Sequence, residues 1–209
     1  MSFARFLPVP IRQLGRQIKW NKFDESYRKR TGLSDFPPAL LRVRVCGSLD
    51  IDSYKAGGID SAEKMVQSIE RAGISRDSDI KLFDFGAGCG RILGPMIQLM
   101  ANTKFTGSDI WDSAIEYNRT HFRGQQFLVN KFDPPLDLPD NNFDVVTAMS
   151  VFTHLDEPNQ ALWLKELNRV TAPRGHLLLS VHGQEHADRK GINGANGAEL
   201  KKKWVHFCQ

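Results

Sequence analysis

The sequence predicts an α/β fold, a doubly wound and mostly parallel sheet, on three observations. From residue 60 onward, short apolar runs alternate with stretches of helical period. The runs carry few polar interruptions, the pattern of strands buried on both faces beneath helices. The first of them, in LFDFGAGCGR at residues 82–91, ends in three glycines at alternate positions, where a strand gives way abruptly to a helix. Right-handed crossovers then leave the doubly wound sheet as the simplest architecture.

Taken in order, residues 1–58 are irregular, punctuated by Pro8, Pro10, Pro37, Pro38 and the pair Gly57-Gly58, with a short helix expected around residues 11–30. The stretch IDSAEKMVQSIERAG sets Met65, Val66 and Ile69 on one helical face. Asp60 is placed to cap it, with Glu63 three residues on, and Gly73 to end it. Residues 80–84, IKLFD, read as a buried strand, and residues 90–101, GRILGPMIQLMA, as a helix in which Pro95 falls early enough to be tolerated. Strand 104–108 (KFTGS) leads into helix 111–122 (WDSAIEYNRTHF), and strand 126–129 (QFLV) into the turn-rich loop NKFDPPLDLPDNN. Strand 143–150 (FDVVTAMS) precedes helix 158–170, where Ala161, Leu164, Leu167 and Val170 form an apolar stripe. Pro173-Arg174-Gly175 is expected to stop that helix, and strand 176–181 (HLLLSV) completes the alternation.

A chain of 209 residues with 41% hydrophobic and 25% charged side chains can bury one sizeable core. No apolar run approaches the roughly 18–20 residues that cross a bilayer. The start, MSFARFLPVPIRQLGRQ, breaks up the apolar stretch of roughly 7–15 residues that marks a signal peptide, so a cytoplasmic location is expected. Cys46, Cys89 and Cys208 are odd in number and form no CxxC pair, which argues against a disulfide framework or a zinc site. His182 and His186 have the i, i+4 spacing of a metal pair. Without HExxH or an acidic cluster they read as a helix face or tail, and no metal is expected. Residues 1–31 carry a net charge of +6 and the whole chain +4, so the remainder is −2. The basic character belongs to an N-terminal arm, either a solvated leader or a docking element for an anionic partner.

Glycine at a strand's carboxyl end permits positive φ and lets a ligand approach bare amides at a helix start. Gly90 is followed by Arg91-Ile92 and not by Lys-Ser/Thr, so the loop is no P-loop. A dinucleotide fingerprint needs a third glycine or alanine where this chain has Arg91 or, in the other register, Leu93. What stands here is D-x-G-x-G-x-G, Asp84 through Gly90, and it resembles the first motif of class I S-adenosylmethionine-dependent methyltransferases. Further matches follow in order over residues 60–182. Asp109 in GSDIW lies 21 residues after Gly88, Asn130 follows the third strand where many such proteins have Asp, and Ser150-Val151-Phe152-Thr153-His154-Leu155 follows the fourth. ELNRVTAPRGHLLLSV is similar to the family's downstream segment. Asp133-Pro134-Pro135 precedes the fourth strand and lacks the aromatic residue of amino-group methylases of nucleic-acid bases, so it is read as a rigid loop.

The resemblance implies a Rossmann-like fold and S-adenosyl-L-methionine as cofactor. It implies cofactor contacts from Asp84, Gly86, Ala87, Gly88, Gly90, Asp109, Ile110, Trp111, Asn130 and Ser150. Asp109 would accept from both ribose hydroxyls or, alternatively, cap the next helix, a task Asp112 can also fill. Ile110 and Trp111 would meet the adenine, although Trp111 equally fits a core position, and Asn130 either meets the adenine amino group or shapes its turn. Methyl transfer from a sulfonium needs mainly in-line alignment in a dry site. His154 is the candidate catalytic base if the acceptor must lose a proton. Residues 42–58 are expected to cross the cofactor as a lid, with Tyr54 a candidate contact. The expected units are thus residues 1–58 (basic arm and lid), 59–182 (cofactor-binding domain) and 183–209 (tail). GINGANGAELKKKWVHFCQ shows no pair of period-two strands, so the family's last two strands are expected to be missing and a partner or a second copy to meet the open edge. The expected activity is methylation of a small molecule. The alternatives are an RNA methyltransferase docking through the basic arm, and a cofactor-binding module without catalysis.

Overall fold

The computed structural model describes residues 11–181, with side chains from residue 17 onward. Strands β1 (Lys81–Phe85), β2 (Lys104–Asp109), β3 (Gln126–Val129), β4 (Phe143–Ala148) and β5 (Thr171–Leu179) form one parallel sheet in the order β3-β2-β1-β4-β5. The chain walks outward from β1 to β3 and then returns to the other side of β1, so the strand order reverses between β1 and β4. Ligands of doubly wound sheets bind beyond the carboxyl ends of the strands at such a reversal.

Both faces of the central strands are buried, as their apolar runs require. On one face Leu82, Phe105 and Val145 pack beneath Met65, Val66 and Ile69 of α3 (Ile51–Arg71), Leu93 and Met96 of α4 (Leu93–Leu99), and Ile115 of α5 (Asp112–His121). On the other, Phe83, Phe85, Val146 and Ala148 meet Trp163, Leu167 and Val170 of α6 (Glu157–Val170). The Trp163 ring lies 4.4 Å from that of Phe85, and its indole N–H donates to the carbonyl of Phe132 at 3.1 Å, which ties the loop after β3 to α6.

Several element bounds differ from those the sequence predicts, each for a local reason. The cap of α3 is Asp50, whose carboxylate accepts from the Ser53 amide at 3.2 Å, and the helix runs through Gly57-Gly58 and across the expected boundary at residues 58–59. Those glycines are contacts and not breaks: a Cβ on Gly58 would lie 2.4 Å from the carbonyl oxygen of Arg91, at the foot of the glycine loop. α4 is shorter than residues 90–101 because Gly90 has φ of +73° and holds the loop open until Leu93. β5 begins at Thr171, with Pro173-Arg174-Gly175 forming a bulge within it. Phe143 pairs with Thr171 and Val145 with His176, and Arg174 takes φ of +67°. Among the described residues β5 is one edge of the sheet and β3 the other. The expected tail, with His182, His186 and Cys208, lies outside them.

The N-terminal segment is built, not loose, in its described part. Asp24 of α1 (Ile11–Thr31) and Arg42 of α2 (Ala39–Cys46) form a buried ion pair at 2.6 Å. The same carboxylate accepts from the Ala39 amide at 3.0 Å, and Arg42 also donates to the carbonyls of Pro37 and Leu49. The Tyr27 hydroxyl donates to Asp52 at the start of α3 at 2.6 Å, while its ring meets Phe36 edge-on. Residues 17–31 of the expected arm are therefore a docked helix and not a solvated leader. No described helix is long and apolar enough to cross a membrane.

Candidate functional site

The glycine loop leaves β1 beneath the carboxyl ends of β2 and β4. Gly86, Gly88 and Gly90 all have positive φ, at +81°, +53° and +73°, which explains three glycines where a plain turn needs one. The amides expected to be bare are occupied. Those of Gly86 and Ala87 donate to the Ser108 carbonyl at 2.9 and 2.8 Å, that of Gly88 to Asp109 Oδ2 at 2.8 Å, and that of Gly90 to the Ala87 carbonyl at 3.0 Å. The loop therefore offers a ligand its lack of side chains more than its donors. Even that surface is approached closely, since a Cβ on Gly86 would lie 2.3 Å from Val151 and one on Gly88 2.9 Å from Val45.

Two carboxyls flank the loop. Asp84, the penultimate residue of β1, is buried and accepts from the Thr147 hydroxyl at 2.8 Å. Burial raises its pKa from 3.8 to about 7, with nearby Asp109 adding to the rise and the Thr147 bond opposing it. Asp109 closes β2, where Oδ2 accepts from the Gly88 amide and Oδ1 from the Trp111 amide at 3.0 Å. Burial raises its pKa too, against the pull of those amides. A carboxylate offers about four lone-pair positions, so acceptor capacity remains. Asp109 does engage an amide at the start of α5, so the cap-like role and the ligand role coexist.

Asp84 has a consequence for stability. Between its ordinary pKa and the raised one, the folded chain holds a proton that the unfolded chain has released, so stability falls as pH rises through that window. Asp84→Asn keeps an acceptor for Thr147 and removes the titration. Its stability relative to wild type should therefore grow, on the order of a few kcal/mol, between about pH 4 and about pH 8. Urea denaturation at both pH values checks this, and a pH-independent difference contradicts it.

Beyond β3, Asn130 is buried. Its amide donates to the Asp109 carbonyl at 3.1 Å, its Nδ2 donates to the Lys131 carbonyl at 2.8 Å, and its Oδ1 has no partner. An orphaned buried acceptor is costly unless a ligand completes it. Asn130 also lines a cavity of about 420 Å³ with Arg119, Val129, Lys131 and Leu136. Ile110 and Phe132 are large apolar side chains left 41% and 57% exposed beside Asp109 and Asn130. Trp111 is half-buried, with the Arg44 guanidinium stacked on its ring at 3.6 Å.

On the other side of the loop, Ser150 has φ of +57°, and its amide donates to Ser180 Oγ at 2.6 Å. His154 is exposed at the end of a single 3₁₀ turn, Phe152–His154. The expected lid of residues 42–58 consists of the last turn of α2, a short connection and the first turns of α3. Tyr54 is buried with its hydroxyl 3.2 Å from Cys89 Sγ, so it supports the loop from within.

The predicted residues from β1, β2 and β3 thus meet around one loop. Sequence reasoning placed Arg44 and Val45 only within the expected lid segment, and it missed Val151 as a contact; Val45 and Val151 close on Gly88 and Gly86. It also missed Asn118, whose Nδ2 donates to the Gly88 carbonyl at 2.8 Å, and here a signal existed. Asn118 is a polar residue on the apolar face that α5 builds from Ala114 and Ile115.

Comparison with known proteins agrees with this geometry. Residues 83–179 match the family model of a methyltransferase domain. The mitochondrial ubiquinone biosynthesis O-methyltransferase of Candida albicans is 30% identical over 120 residues, which cover 55% of this chain and 36% of that protein. Among solved structures, an amino pentose methyltransferase of Micromonospora echinaspora involved in calicheamicin biosynthesis, with S-adenosylmethionine bound, superposes with a TM-score of 0.50. It is 19% identical, over 60% of this chain and 51% of that one, and shows the shared fold. The matched segment spans about a third of the length of that Candida albicans protein. The glycine loop, Asp109 and Asn130 all lie inside the segment, residues 83–179, that matches the methyltransferase-domain model.

Proposed function

We propose that the chain binds S-adenosyl-L-methionine at the carboxyl ends of β1, β2 and β3 and methylates an apolar small molecule. The observation that carries this reading is the unpartnered Oδ1 of Asn130, set beside the Asp109 carboxylate and the glycine loop. Those groups fit an adenosyl ligand. Asp109 accepts from the ribose hydroxyls, Asn130 Oδ1 accepts from the exocyclic amine, and Ile110 with Phe132 covers the adenine. Gly86, Ala87, Gly88 and Gly90 give close approach to the methionyl part, whose positive charge favours the ionised form of nearby Asp84. Residues 59–182 form the binding unit in this reading, and α2 with the start of α3 covers it.

When bound, S-adenosylmethionine supplies a methyl group already activated by its positive sulfur. The protein's part is then to align the acceptor, exclude water and take a proton. His154 and Ser150 stand after β4, where an acceptor would lie, and His154 receives the acceptor's proton. The likeness to an O-methyltransferase of ubiquinone biosynthesis favours an apolar acceptor. Calorimetry with S-adenosylmethionine, S-adenosylhomocysteine and NAD tests the binding: the first two should bind and NAD should not. Transfer of labelled methyl to phenols of increasing alkyl length tests the chemistry, and binding without any turnover would assign the chain to non-catalytic cofactor binding.

The cover makes a second expectation. Arg44 on Trp111 and Val45 against Gly88 hold the end of α2 over the loop, so binding requires that end to lift. A cation–π contact is worth roughly 0.5–2 kcal/mol, and removing it enlarges the open fraction. Arg44→Ala should therefore speed cofactor association by about 2- to 30-fold in stopped-flow tryptophan fluorescence. An unchanged or slower rate means that Arg44 does not restrain the site.

A further inference from the structure

The outward surface of α1 plays no part in the proposed cofactor site. Asp24 and Tyr27 turn inward and are buried, and Trp20 is half-buried with them. Ile18, Lys22, Glu25 and Lys29 recur at i, i+4, i+7 and i+11 along the opposite line of the helix, all exposed, with Lys19 and Arg30 beside them. Among the described residues, Lys19, Lys22, Arg28, Lys29 and Arg30 enter no ion pair. Of the two acids on the helix, Asp24 is engaged by Arg42, leaving Glu25 to oppose these cations. Large apolar side chains stand beside these cations: Ile18, on the same line, is 52% exposed, and Leu33, just past the helix, is 48% exposed.

We propose that this face docks on an anionic phospholipid surface. Its cations match a layer of anionic headgroups, each worth binding energy within a Debye length of the membrane. Ile18 and Leu33 gain by entering the boundary between headgroups and acyl chains, as the apolar side of an interfacial helix does. Nucleic acid would use the same cations but gains nothing from Ile18 or Leu33, since a phosphate backbone offers no apolar layer and base recognition asks for stacking aromatics. The charge distribution also orients the molecule. Residues 1–31 carry a net +6 and the rest of the chain a net −2, so this end is the strongly cationic one. The Asp24–Arg42 pair and the Tyr27–Asp52 bond fix α1 to α2 and α3, so the face is presented by a rigid element.

Co-sedimentation of the full chain with vesicles of phosphatidylcholine alone, and of phosphatidylcholine mixed with phosphatidylglycerol, tests the proposal. Binding is expected to the mixed vesicles only, and to fall as salt rises. Lys22→Ala and Lys29→Ala should each weaken it about 5-fold, and the pair Ile18→Ser and Leu33→Ser should weaken it several-fold without changing its salt dependence. These positions are exposed, and matching circular-dichroism melts establish that the variants fold. If a variant does not, the wild type's lipid and salt dependence decides alone. Equal binding to both vesicles, no binding to either, or binding that survives both sets of variants overturns the proposal. So does capture of a single-stranded RNA oligonucleotide that depends on the lysines and not on Ile18 and Leu33 while the vesicles stay unbound, an outcome that assigns the face to nucleic acid.

Discussion

Asp109→Ala is expected to weaken S-adenosylmethionine binding by about 100-fold or more, because hydrogen bonds to a charged group contribute roughly 1.5–3 kcal/mol each and two ribose hydroxyls lose theirs. The same change releases the amides of Gly88 and Trp111, which Asp109 holds at 2.8 and 3.0 Å. Loss of ligand contact and loss of loop shape must therefore be separated. Asp109→Asn does so. It keeps one acceptor oxygen for one amide but sets an NH₂ against the other, and it cannot accept from both hydroxyls as a carboxylate does. Its affinity should fall between wild type and the alanine variant, with a smaller loss of thermal stability. Calorimetry reads the first quantity and thermal unfolding the second. Binding within a few-fold of wild type in the alanine variant would remove the ribose from Asp109.

The parts of this site legible in the sequence are those that local chain geometry dictates. Three glycines at alternate positions after IKLFD announced a loop of positive φ, and all three have it. Asp109 and Asn130 were legible because a parallel strand of known length delivers its last residue to the same edge as its neighbours: Asp84 pairs with Gly107 and Asp109 with Val129. The state of the loop's amides was not legible. Whether Gly86 and Ala87 face a ligand or the Ser108 carbonyl depends on how far β2 extends beside β1, which is a tertiary fact. The N-terminal helices were misread for a related reason. Pro37-Pro38 and Gly57-Gly58 have the composition of breaks, yet the first pair leads into α2 and the second admits Arg91 against α3. Burial of a charged residue such as Arg42 leaves no trace in a hydrophobic pattern, because its partner Asp24 is 18 residues away on another helix.

That hidden pair carries the largest expected effect on stability. Arg42 is wholly buried and joins α1 to α2 through Asp24, and it also holds the carbonyls of Pro37 and Leu49. Arg42→Ala strands the Asp24 carboxylate in the interior with the Ala39 amide as its remaining bond. Removing one partner of a buried pair costs about 3–5 kcal/mol, most of it the desolvation of the charge left behind. Asp24→Asn in that background removes the stranded charge and should recover part of the loss, because an amide oxygen still accepts from Ala39. Replacing both residues with apolar ones, Asp24→Leu with Arg42→Met, should lie closer to wild type than Arg42→Ala does. The ordering of the three, measured by urea denaturation, distinguishes a charge effect from lost packing. If the double apolar variant is the least stable, the hydrogen bonds to the Pro37 and Leu49 carbonyls, and not the ion pair, hold α2 in place. The same series reaches the cofactor site, since α2 carries Arg44 and Val45 onto the glycine loop. A chain in which α2 has come away from α1 should bind cofactor faster and release it faster, with the change in affinity set by whichever rate moves more.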